Sequence, residues 1–154
     1  MIELQKIIMF EIGQIDKLIG KYGILFEELK SREPNFNEID SAAIATHSFY
    51  NGVEKIFELI AKQLDKFTPE SGRTHRELLY NVHVGNDIRP AVIDEETYFI
   101  LDEYLKFRHF FRHSYAFLLD WEQMKELAYN LSDTWKTVRG QLLDFVDFLE
   151  NIEN

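Results

Sequence analysis

The chain has 154 residues, no cysteine and a formal net charge of −10. One domain spanning residues 1–154 is the expectation at that length, and without cysteine there is no disulfide framework and no thiolate metal site, so a reducing, cytoplasmic setting fits. The acidic balance argues against broad binding of duplex nucleic acid, which needs many lysine and arginine contacts to phosphate, yet it leaves room for one small anion site.

Charges at Glu3 and Lys6 come too early for a secretory signal, and no uncharged apolar run reaches membrane-spanning length. The first segment repeats Ile8, Ile12, Ile15, Ile19, Tyr22, Phe26 and Leu29 at alternating spacings of four and three, one stripe along a helix that Pro34 ends. Gly13, Gly20 and Gly23 each cost about 1 kcal/mol relative to alanine there, so packing has to hold it. A second helix is expected from about Asn37–Ser41, striped by Phe49, Val53, Ile56, Ile60, Leu64 and Phe67. Pro69 and then Ser71-Gly72 signal a turn, after which Thr74 can cap a short third helix running to His83. Gly85-Asn86-Asp87 and Pro90 break the chain again. Asp94 caps a fourth helix, with Glu95 and Glu96 suited to its first turn, that continues through Tyr98, Leu101 and Leu105. A short segment follows Leu118-Leu119-Asp120-Trp121 to about Leu131. Ser132-Asp133 then opens the last helix, striped by Trp135, Val138, Leu142, Phe145, Leu149 and Ile152. No stretch alternates with period two, so the expectation is an all-α antiparallel bundle of four to five helices.

The end of the fourth helix departs from the rest of the chain. Tyr104–Tyr115 holds Lys106, Arg108 and Arg112 with no acid, a formal +3, so the remainder sums to −13. Arginine forks and imidazoles at that density suggest an anion site, with phosphate the usual anion. On an ideal helix Arg108, Arg112 and Tyr115 share one face, while His109 and His113 pair about 100° round from it. Convergence of Arg108 and His113 on one ligand therefore calls for a helix that ends or bends near His113, for a second copy of the chain, or for both. The plainer reading is a helix end whose cations offset the macrodipole. A metal reading of His109-x-x-x-His113 is weak, because no His-Glu-x-x-His or Glu-x-x-His motif is present and Arg112 would repel a cation. Ser114 has no nucleophile elbow, there is no glycine-rich phosphate loop, and His47, His75 and His83 read as surface or core-edge residues.

Arg108-His109-Phe110-Phe111-Arg112-His113-Ser114-Tyr115 reads Arg-x4-His-x-Tyr with a polar residue directly after the arginine. This resembles the signature of the HEPN ribonucleases, in the form used by the HepT-like toxins of HepT/MNT toxin–antitoxin pairs. The resemblance extends to Phe49-Tyr50-Asn51-Gly52-Val53-Glu54-Lys55-Ile56-Phe57, Arg89-Pro90 and Leu119-Asp120-Trp121, and thins in the first helix. Ala116 stands where many relatives have glycine, which bears on the local helix ending.

The resemblance implies a homodimeric, metal-independent RNA endonuclease with no cofactor, both motifs facing one cleft. Its substrate is a cellular RNA, with tRNA one candidate. His113 is then the general acid/base and Arg108 the phosphate clamp, with His109 a polar helper and Arg112 an RNA-positioning contact. Glu54 could orient Arg108 or a histidine, though a solvated glutamate explains it equally well. Tyr115 is the position that a cognate MNT nucleotidyltransferase antitoxin would adenylylate, blocking RNA by charge and by volume. The rival expectations are a non-catalytic HEPN-like module that binds a nucleotide or a nucleotidyltransferase, and a plain helical dimerisation module.

Overall fold

A computed structural model describes residues 2–70 and 72–153, and the described residues are helical without strands. The helices are α1 (Ile2–Glu28), α2 (Phe36–Ile60), α3 (Thr74–His83), α4 (Glu95–His113), α5 (Trp121–Tyr129) and α6 (Leu131–Glu153). Six helices replace the expected four to five because the segment after Asp120 is a helix in its own right: the Asp120 carboxylate accepts from the Glu122 N–H and starts α5. None is long and apolar enough to cross a membrane.

Helix α2 forms the centre, packed against α1, α3, α4 and α5. Phe49, Val53, Ile56 and Ile60 are fully buried, each worth about 1.5–3 kcal/mol relative to exposure. The helix starts at Phe36, slightly earlier than the stripe suggests, because Asn35 and Glu38 form a reciprocal capping box. Glu38 also receives Arg32 on both oxygens, at 2.8 and 2.6 Å, and that pairing with the Asn35 N–H holds its carboxyl down at about 2. Gly52 lets α1 approach closely, since a Cβ there would lie 3.0 Å from Ile15 Cγ1. Helix α1 stops at Glu28, before Pro34, where the Tyr129 hydroxyl donates to the Leu29 carbonyl. Its glycines are carried within one continuous helix. Asp16 ties its middle to α6 through Trp135 Nε1 at 2.8 Å and Arg139 Nε at 3.1 Å.

Helix α2 runs on into a single π turn, Ala61–Asp65, which Lys66 closes in the left-handed region at φ 54°. The wider turn sets Asp65 against the loop after α3. Arg89 Nε and Nη2 donate to its two oxygens at 2.8 and 2.7 Å, and the remaining guanidinium donors reach the Val84, Pro90 and Asn81 carbonyls. Burial works against ionising Asp65, but the bonds from Arg89, Asn81 and Asn86 outweigh it and hold the group below the usual carboxylate range. Arg89-Pro90 is therefore the staple that fixes the loop feeding α4.

Ser71 of the expected Ser71-Gly72 turn lies outside the described residues; Gly72 itself has φ 88°. Arg73, not Thr74, is the N-cap residue of α3, and Thr74 is already in the helix. Asp94 caps α4 through the Thr97 N–H, and Gln141 of α6 bonds both the Asp94 N–H and its carboxylate. Helix α6 begins at Leu131, directly after α5, rather than at Ser132-Asp133.

Candidate functional site

Helix α4 packs against α2, and its last turns face the middle of α2. Arg108 is buried to 8% exposure, and its Nε donates to Asn51 Oδ1 at 2.9 Å. The Asn51 amide nitrogen in turn donates to His47 Nε2 at 3.0 Å, and the His47 ring stacks on Phe111 at 4.6 Å. Burial, then the positive charges of Arg108 and Arg112, push His47 below the ordinary histidine value. His47 is thus a neutral spacer that fixes Asn51, and Asn51 fixes the arginine fork.

On its other side Arg108 lines a groove of about 280 Å³ between α3 and α4. Arg73, His75, Arg76, Lys106 and His109 line it as well, and among the described residues no carboxylate does. Two of these cations are paired with acids: Asp102 binds Arg76 at 2.7 Å and Lys106 at 3.3 Å, and Glu103 binds Lys106 at 3.0 Å. Arg73 forms no ion pair among the described residues. The result is a local positive concavity on a strongly acidic chain, the electrostatic arrangement that draws an anion to one place.

Helix α4 ends at His113, and Ser114 is extended at φ −120°, ψ 157°. The helix turns no further, so Tyr115 does not continue the Arg108–Arg112 face. It leads instead into a single 3-10 turn, Ala116–Leu118, where its ring is 75% exposed and stacks on Phe117 at 5.5 Å. His109 and His113 lie ring to ring at 4.5 Å, both exposed. The ends of the motif are therefore held differently. Arg108 is clamped in the bundle, while His113 stands free on the last turn, linked to the groove through His109. Arg112 is exposed beside His47.

Of the partners expected for Glu54, a histidine is the one it meets: one turn beyond Asn51 on α2 and buried to 6% exposure rather than solvated, it has Oε1 at 2.6 Å from His75 Nδ1. Tyr50 is packed near both, its hydroxyl without a partner, and burial followed by the Glu54 charge pushes its ionisation far up. Sequence reasoning missed His47, Asn51 and His75. The signal was present in α2, where His47, Asn51 and Glu54 stand at i, i+4 and i+7, a polar stripe beside the apolar face of the helix. His75 carried no such signal, because its partner is 21 residues away.

Comparison with curated proteins gives no significant match, and comparison with solved structures gives none either. The HepT-like protein family model matches residues 41–149, a span that takes in the groove, the motif and their supports in α2. The chain belongs to the HepT-like protein family.

Proposed function

We propose that this protein is a HEPN-type endoribonuclease, the toxin of a pair whose antitoxin is an MNT nucleotidyltransferase. The observation that carries the reading is the clamped Arg108 in a cationic groove free of lining carboxylates, with imidazoles along its rim. Arg108 holds the phosphate and stabilises the charge that grows on its oxygens, and His113 moves a proton. RNA supplies its own nucleophile, the 2′-hydroxyl, so the reaction runs without a metal ion. Two copies of the chain act together, and the apolar rim around the motif, Phe110, Phe117 and Leu118, is suited to meeting a second copy. Tyr115 offers its hydroxyl on an exposed turn, accessible to an adenylylating partner that would then add a phosphate and a bulky base at the end of the motif.

The test is incubation of the purified protein with total RNA in EDTA. The expected products end in 2′,3′-cyclic phosphate and 5′-hydroxyl, they are absent with Arg108→Ala and His113→Ala, and light scattering gives a dimer. RNA that is bound and left intact would make the protein a binding module instead.

A further inference from the structure

Self-cleavage of RNA moves two protons. One leaves the 2′-oxygen as it bonds to phosphorus, and the other reaches the 5′-oxygen as the P–O5′ bond breaks. The motif brings one free imidazole, His113, at the far end of the His109–His113 pair. The groove beside Arg108 contains another that the motif does not include.

His75 comes from the first turn of α3 and lines the groove with 43% of its side chain exposed. Its Nδ1 faces a buried carboxylate at 2.6 Å. A carboxylate can only accept, so Nδ1 carries the proton and the lone pair lies on Nε2. Nε2 makes no hydrogen bond among the described residues. The second oxygen of Glu54 is buried without a partner, an expensive arrangement for a group whose only task was to tie two helices together. Many side chains could make such a tie on the surface, but a base held by a buried carboxylate next to a phosphate-binding arginine needs this pairing.

We propose that His75 is the general base of the nuclease, taking the 2′-hydroxyl proton on Nε2, with Glu54 the positioning residue that fixes its tautomer and orientation. The 2′-O–P bond forms as P–O5′ breaks, and His113 returns a proton to the departing 5′-oxygen, so protons and charge balance. Arg108, in the same groove, holds the phosphate between them. This inference rests on the nuclease reading above.

The experiment compares wild type, His75→Ala, His75→Gln, Glu54→Gln and His113→Ala on a short RNA in EDTA, with binding measured on its 2′-O-methyl form. Loss of the base lowers kcat by about 10²–10⁴-fold in both His75 variants, while affinity for the uncleavable strand changes less than about threefold. Glu54→Gln keeps the imidazole and weakens the bond that orients it, so kcat falls while affinity for the uncleavable strand stays within about threefold. Arg73 at the cap of that helix, Arg76 on it, and Lys106, Arg108 and His109 from α4 line the same groove, and they are unchanged in that variant. If His113→Ala is inactive while the His75 and Glu54 variants match wild type in rate, this inference falls and the nuclease reading stands. A wild type that never cleaves RNA removes both.

Discussion

Asn51→Ala isolates the clamp on the arginine without touching the motif. The change deletes the acceptor for Arg108 Nε at 2.9 Å and the donor to His47 Nε2 at 3.0 Å. A hydrogen bond to a charged group contributes about 1.5–3 kcal/mol. If the guanidinium fork must be held square to the phosphate, that loss falls on the transition state and slows cleavage by about 10- to 150-fold, taking roughly 1.4 kcal/mol per factor of ten. The same substitution leaves Arg108 Nε and both His47 nitrogens without protein partners, costing about 1–3 kcal/mol of stability. At about 2–4 °C per kcal/mol for a chain of this size, Tm falls by roughly 2–12 °C, so assays belong well below it. Single-turnover cleavage in EDTA should show a lowered rate at saturation, with binding of a 2′-O-methyl strand little changed. A variant that is melted less easily than this, yet cleaves at the wild-type rate, would show that the Asn51 bond does not orient the reacting arginine.

Asp65→Ala strands a fully buried guanidinium, so thermal unfolding should show a loss of about 3–5 kcal/mol; an unchanged Tm contradicts the staple. His47 is depressed in the fold, so its stabilising contribution is complete above the unfolded histidine value near 6.5 and is lost as pH falls through the folded value. Urea midpoints should therefore drop as pH falls below about 6.5, and His47→Gln should flatten that slope. Tyr115→Phe should fold and cleave RNA normally while gaining no AMP mass in the presence of the nucleotidyltransferase; modification still found on the same peptide removes Tyr115 as the acceptor.

The helices were legible because their information is periodic and local. The stripe of Phe49, Val53, Ile56 and Ile60 specifies a buried face, and Asp94 with its acidic first turn specifies where α4 begins. Boundaries shifted where a cap was decided by an interaction the stripe does not contain, as in the Asn35–Glu38 box or the stop of α1 before Pro34. The motif was legible as a run of chemistry, but its geometry was only half so. An ideal helix places Tyr115 with the arginines, and the extended Ser114 takes it away. Glu54 was singled out without its partner, since nothing in a linear reading couples α2 to a histidine on a short helix beyond a proline and a turn.

The polar stripe of α2 explains why the cations of α4 form a site and not merely a favourable helix end. Cations that only offset a macrodipole remain in solvent, as Arg112 does. Arg108 instead gives up nearly all its exposure, and the bundle provides a neutral acceptor, not a carboxylate, to receive it. A carboxylate would hold the guanidinium more strongly but would cancel its charge; an amide fixes its direction and leaves the charge for an incoming anion. The acid that lies nearby, Glu54, is spent on His75 and is absent from the groove lining. On the proposed mechanism Asn51 preserves the positive charge and Glu54 prepares an imidazole, a division of labour that storage of a buried ion pair does not require and that proton transfer next to a bound phosphate would.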